Sequence, residues 1–226
     1  AKVEGSKMKG VLRRKTGALA LREAAFTAEF GQIHRFVPAE PSTKVSVNGK
    51  WETRFRTASS GYESVGVFQQ NGNEVTGTFL TNTGDYRYLQ GNIVGDSLKL
   101  SCFDGNHVFL FTAKVQSDSL VGGTFCAAFT YTEKWGAKRN ENAALPDAST
   151  LTHLKEGYST IDFVFKNEKN EVVSLKDGRY KNKVVIVQIL GSWCPNCMDE
   201  TKFLVPFYEK NKAKGVEIIG LAYEKS

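Results

Sequence analysis

The chain has 226 residues, 41% hydrophobic and 24% charged. That is the balance of a globular protein with room for one large domain or two ordinary ones, and no apolar run approaches the roughly 18 residues that a membrane-spanning helix needs. The net charge of +6 sits entirely in residues 1–22, where seven Lys/Arg face one Glu, so the remainder is neutral. A basic opening of this kind reads as a solvated segment, and with no nucleic-acid motif beside it no nucleic-acid partner is expected.

The sequence begins at Ala1 with neither Met nor an apolar signal core, so any export signal or membrane anchor is expected to lie outside it. Residues 1–45 are expected to be the tail of an upstream β module, or extra strands. The reason is an internal echo: Met8-Lys9-Gly10-Val11-Leu12 has the same apolar-x-Gly-x-apolar form as Val75-Thr76-Gly77-Thr78-Phe79 and Leu120-Val121-Gly122-Gly123-Thr124-Phe125. Downstream of two of these stand Phe26-Thr27-Ala28 and Trp135-Gly136-Ala137.

Residues 46–140 read as an antiparallel β domain. The expected strands are Trp51–Arg56, Ser64–Gln69, Val75–Thr81, Tyr86–Val94, Leu98–Phe103, Val108–Val115 and Leu120–Phe129. Alternation places Leu98, Leu100 and Cys102 on one face, and Phe109, Phe111, Ala113 and Val115 on another. Asn71-Gly72-Asn73, Thr83-Gly84-Asp85, Gly95-Asp96, Asp104-Gly105-Asn106 and Ser117-Asp118 separate the strands with residues that tolerate positive φ. Seven strands on such short turns predict a meander closing into a barrel or sandwich.

Residues 141–160 turn polar and read as a linker. In 161–226, Ile161–Phe165 and Val172–Leu175 read as a hairpin, followed by the uninterrupted apolar run Val184–Leu190. Such a run predicts a strand covered on both faces, as in a parallel sheet. Then come the Gly191-Ser192 turn, Trp193-Cys194-Pro195-Asn196-Cys197, a helical segment from Met198 to Lys212, and a second apolar run from Val216 to Ala222. Strand, turn, Cys-x-x-Cys, helix and strand place two thiols at a helix N-terminus, where unpaired N–H groups and the helix dipole favour a thiolate.

A Cys-x-x-Cys is also half of a zinc site, but zinc needs two more ligands, and Cys102, Cys126, His34, His107 and His153 all lie in other elements. A dithiol redox pair is therefore the leading reading, with no metal or organic cofactor.

On these residues, Val184 to Glu224 resembles the TlpA/ResA-like thiol-disulfide oxidoreductases of bacterial envelopes, within the thioredoxin superfamily. The carriers are Trp-Cys-x-x-Cys after a buried strand, the acidic helix start and the strand Val216-Glu217-Ile218-Ile219-Gly220-Leu221. The β region, with Thr83-Gly84-Asp85-Tyr86-Arg87-Tyr88, resembles more weakly a module that precedes such domains. The resemblance implies a periplasmic or envelope protein that reduces protein disulfides, fed by an upstream dithiol donor. Carried over, Cys194 attacks and Cys197 resolves, Trp193 packs beside the pair, and Pro195 and Asn196 tune the potential. Gln188 stands where thioredoxin keeps a buried Asp. Glu200 matches a carboxylate placed near the dithiol and is expected to relay the Cys197 proton.

Two departures bear on this. Lys202 replaces the helix-kinking Pro, so a kink is expected at Pro206 instead. The chain also stops at Ser226, before the helix, cis-Pro strand and final elements of the family, which predicts an incomplete thioredoxin-like α/β domain. The alternative function is a binding or scaffolding protein whose β domain recognises a partner, with Asp104, His107, Tyr86 and Tyr88 as candidate lining residues. Cys102 and Cys126, on strands separated by a third, are expected to be reduced, mostly buried thiols without a catalytic task.

Overall fold

The computed structural model describes residues 1–16, 20–32, 34–38, 44–57, 59–104, 107–127 and 131–224, with backbone alone for 14–16 and 20–22. The chain forms two units, Ala1–Leu145 and Pro146–Ser226.

The first unit opens with β1 (Lys2–Glu4), β2 (Lys7–Thr16) and β3 (Ala20–Glu29), an antiparallel sheet in that order. Eight longer strands and one very short one follow: β4 (Gly49–Arg56), β5 (Gly61–Asn71), β6 (Glu74–Thr81), β7 (Gly84–Asp85), β8 (Leu89–Val94), β9 (Ser97–Phe103), β10 (Val108–Gln116), β11 (Ser119–Ala127) and β12 (Tyr131–Arg139). Each long strand pairs antiparallel with the next, β7 adds to the end of β6, and β12 returns to β4, with Trp135 opposite Phe55 and Ala137 opposite Thr53. The result is a closed eight-stranded up-and-down barrel, which leaves no edge among these eight strands for unwanted pairing.

Eight strands enclose just enough space for side chains to fill. Trp51, Phe55, Phe68, Phe79, Phe111, Phe125 and Trp135 fill it, each no more than 4% exposed. Phe111 and Phe125 stack with ring centroids 4.4 Å apart. One buried carboxylate, Glu133, accepts from the Tyr62 hydroxyl at 2.9 Å and from Tyr131. At the other end Arg139 lies over the Trp51 ring at 4.4 Å and donates to Ser46 O and to Asp118 Oδ1 at 2.6 and 2.9 Å, tying the approach to β4 onto β12.

Three strand expectations change. Tyr131–Arg139 is an eighth strand; its Lys134 and Lys138 point outward while Glu133, Trp135 and Ala137 point in. The expected Tyr86–Val94 strand begins only at Leu89, because Arg87 takes a left-handed φ of 64° that breaks the extended run. Leu120–Phe129 is strand to Ala127, and residues 128 and 129 lie outside the described residues. The opening of the expected linker also packs on the barrel: Ala143 is buried, and the Glu141 carboxylate accepts from Lys50 N.

The second unit begins with the short helix α1 (Ala148–Leu151), capped by Asp147, and a small hairpin of β13 (Val164–Lys166) and β14 (Val172–Ser174). Its remaining part is a β–α–β unit. β15 (Val184–Leu190) and β16 (Val216–Ala222) pair in parallel, Val184 opposite Val216 through Leu190 opposite Ala222, and α2 (Pro195–Asn211) connects them. A turn of 3-10 helix and Gly215 in the left-handed region end the crossover. α2 runs unbroken through Pro206. The expected cover on both faces of β15 is incomplete: β16 is its one partner strand among the described residues, and Val184 and Ile189 remain open to solvent.

Candidate active site

The site is built where β15 ends and α2 starts. Gly191 N-terminal to the motif leaves space for the Trp193 ring: a Cβ there would lie 2.4 Å from Trp193 Nε1. The indole N–H donates to Tyr223 O at 3.0 Å, and Ser192 donates to the Glu224 carboxylate through both its N–H, at 2.9 Å, and its hydroxyl, at 2.7 Å. These two donors, the hydroxyl first, hold the Glu224 carboxyl below the usual carboxylate range. The loop before the dithiol is thus pinned to the segment leaving β16, next door in the parallel sheet.

Cys194 caps α2, and Pro195 occupies the first helical position, where its fixed φ suits the helix and its missing N–H costs nothing. Cys194 N–H turns back to Gly191 O at 2.9 Å, and Cys194 O receives the first helical bond, from Met198 N at 3.1 Å. The Cys194 sulfur accepts from Cys197 N–H at 3.4 Å and lies 2.6 Å from the Cys197 sulfur. The two cysteines are therefore unlike. Cys194 caps the helix and takes its N–H, whereas burial, the neighbouring Cys194 sulfur and the Glu200 charge push the Cys197 thiol up from the ordinary value.

Behind the sulfurs, Gln188 is the buried polar residue of β15. Its Nε2 donates to Glu200 Oε2 at 2.9 Å and to Cys197 O at 3.3 Å, and its Oε1 accepts from Thr201 Oγ1 at 3.2 Å. Thr201 also donates to Cys197 O at 2.8 Å. The single Thr201 proton is shared between these two oxygens, while both amide hydrogens of Gln188 have their own acceptors, which makes the buried amide a support rather than a cost. Trp193, Cys194, Pro195, Asn196, Cys197 and Glu200 are brought together around this helix start. Sequence reasoning overlooked Thr201, Ser192 and Glu224. Thr201 had a signal, since it lies one helical turn beyond Cys197 on the same face.

The residues considered for a binding site on the barrel separate. Tyr86 turns into the core and bonds Tyr62, whereas Tyr88 is 82% exposed. Asp104 and His107 do meet: Asp104 Oδ2 contacts His107 Nδ1 at 3.0 Å and Arg87 Nε at 3.2 Å, a largely buried Arg–Asp pair with the histidine at its edge, beside the β9–β10 turn. Cys102 faces the barrel interior opposite Phe109, and Cys126 pairs with Leu110 on the outer face, so the wall itself separates these thiols. Both are free thiols, Cys102 buried and Cys126 half-buried.

A β–α–β unit carrying two thiols at the first turn of its helix has the geometry of a thioredoxin-superfamily redox domain. Residues 141–226 match the family model described as Redoxin. Over 68 residues the chain is 37% identical to "Thiol-disulfide oxidoreductase ResA" of Bacillus thuringiensis subsp. konkukian (strain 97-27) and to the protein of the same name in Bacillus cereus (strain ATCC 10987 / NRS 248). The ResA of Bacillus anthracis is equally similar. Each alignment covers 30% of this chain, and the chain spans 38% of the length of these curated relatives.

Proposed function

We propose that the chain belongs to a TlpA/ResA-like thiol-disulfide oxidoreductase that reduces protein disulfides through Cys194 and Cys197. The carrying observation is the sulfur pair at the N-terminus of α2, 2.6 Å apart, with the Cys194 sulfur facing the Cys197 N–H of the first helical turn. The Cys194 thiolate attacks a substrate disulfide; one substrate sulfur leaves as thiolate and the other stays bound to Cys194. Cys197 gives its proton to Glu200 or to water and attacks Cys194 Sγ. The second substrate thiolate then leaves, and Cys194 and Cys197 are left as a disulfide. A separate dithiol protein restores the pair by the same exchange. Trp193 packs beside the sulfurs, and Pro195 and Asn196 set how readily the pair gives up its electrons.

In this reading residues 161–226 form the first half of a thioredoxin-like domain, 141–160 the linker and 46–140 the β domain, in a protein of the periplasm or cell envelope. The similarity to ResA supports that location. Among the described residues no helix is long and apolar enough to cross a membrane.

The test is insulin-disulfide reduction by the full-length protein with Cys194→Ser. Loss of reduction with the fold intact supports the reading. Full retention contradicts it and favours a scaffold whose β domain does the work.

A further inference from the structure

The sheet β1–β3 repeats the closing strands of the barrel. Ala1-Lys2-Val3-Glu4 matches Ala113-Lys114-Val115-Gln116, and the turn after each has one residue in the left-handed region, Gly5 at φ 59° and Ser117 at φ 53°. Val3 pairs with Met8 as Val115 pairs with Leu120. Across the next hairpin Met8 faces Ala28 as Leu120 faces Ala137, and Gly10 faces Phe26 as Gly123 faces Trp135. In both pairs the aromatic ring sits against the glycine, so that a Cβ on Gly10 or Gly123 would come within 2.7 Å of it. Even the bond closing the strand pair recurs: Phe30 N to Ser6 O at 2.7 Å, Arg139 N to Asp118 O at 2.9 Å. The difference is one bulge in β11, at Gly122, which β2 lacks.

The two copies differ in what covers them. In the barrel, Val115, Leu120, Phe125 and Trp135 point inward and are 6% exposed or less. Their counterparts Val3, Met8, Leu12 and Phe26 are 68%, 36%, 36% and 36% exposed. The opposite face of β2 and β3 is already suited to water, with Lys7, Lys9 and an Arg13–Glu23 ion pair at 2.7 Å. β1–β3 is thus an amphipathic sheet with its apolar face bare and both outer edges unpaired among the described residues.

We infer that this face is built to close a second barrel of the same design, whose other strands lie upstream in the same native polypeptide. In the barrel of this chain, the partners of β10–β12 are β4, β5, β6, β8 and β9. These five are already closed on their own β10–β12 through short turns, here and in any second copy, so intramolecular closure leaves them unavailable to β1–β3. An upstream set of five strands meets no such competition. Its first strand would pair with the free edge of β3 as β4 pairs with β12.

The test compares hydrogen exchange in the full-length gene product with that in the 226-residue chain, together with the reading frame upstream of Ala1. The expected frame encodes some 60 residues or more with the alternating strand pattern of residues 46–113. In the full-length protein, amides of 7–12 and 23–28 should exchange at least about tenfold more slowly than in the 226-residue chain, approaching those of 119–125. A frame with no such strands overturns the inference, as does equal exchange in the two proteins. Protection that appears in the 226-residue chain and grows with its concentration also overturns it, by assigning the face to a second copy. The outcome is independent of the redox reading, because no cysteine is involved.

Discussion

Gln188 and Glu200 are joined by a hydrogen bond of 2.9 Å that runs from the buried strand β15 to the helix carrying the dithiol. The same amide reaches Cys197 O at 3.3 Å, so one side chain fixes the carboxylate and the backbone of Cys197, the proposed resolving cysteine, together. Gln188→Leu keeps the approximate volume and removes both links. Expected is a modest loss of stability, about 1–2 kcal/mol, and a several-fold slower release of substrate from the mixed disulfide. Gln188→Glu, which puts a second acid beside Glu200, should disturb the pH profile of that step more than Gln188→Leu does. Stopped-flow kinetics on the full-length variants measure both.

Glu200 acts on Cys197 in two opposed ways. Its charge helps hold the Cys197 thiol above the ordinary value, and in the proposed mechanism its carboxylate takes the proton. With a raised value, Cys197 is protonated at neutral pH, so mixed-disulfide release should accelerate as pH rises through and beyond the usual thiol range. Glu200→Gln should move that acceleration to lower pH while slowing release at pH 7. A residue with a purely structural role would lower the rate without moving the profile.

Much of this was legible in the sequence. Turn residues between short apolar runs, with clean alternation in several of them, marked seven strands, and the order of apolar run, Cys-x-x-Cys and helix marked the site. The eighth strand, Tyr131–Arg139, escaped because it places Glu133 at an inward position and lysines at outward ones, so its local composition reads as polar. Only its pairing with β4, some 80 residues away in sequence, explains the pattern: the Tyr62 and Tyr131 hydroxyls satisfy Glu133 inside the barrel. Gln188 showed as a substitution for an acid, but its three partners come from α2, and strand periodicity carries no information about them.

Cys102 gives a pH-dependent stability. Burial, with the Asp104 charge adding, pushes its thiol up to about 11 from 9.0. A group whose value is raised in the folded state favours folding below its unfolded value, and that contribution is lost as pH rises through the folded one. The denaturation midpoint of the barrel should therefore fall between pH 9 and 11, and Cys102→Ala should reduce that slope. In native protein at pH 8 a maleimide should leave Cys102 unmodified while reacting with Cys194.

Gly91 and Gly95 separate steric from conformational need. A Cβ on Gly91 would lie 1.8 Å from Lys99 O, where β8 meets β9, whereas Gly95 has open space around it but a φ of 61°. Gly91→Ala should cost about 3 kcal/mol, the upper part of the overpacking range, or prevent closure of the barrel. Gly95→Ala should cost about 1 kcal/mol, the strain of a left-handed turn residue. Urea midpoints followed by tryptophan fluorescence distinguish the two.

The most direct test of the central claim is capture of the reaction intermediate. With Cys197→Ser in the full-length protein, attack by Cys194 can occur but release cannot. A disulfide-bonded substrate protein should then accumulate as a covalent adduct on Cys194, seen by non-reducing electrophoresis and peptide mass spectrometry and reversed by dithiothreitol. Cys194→Ser should form none. Adducts on Cys197 in the Cys194→Ser protein, or no adduct in either variant, would contradict the assignment of Cys194 as the attacking thiolate.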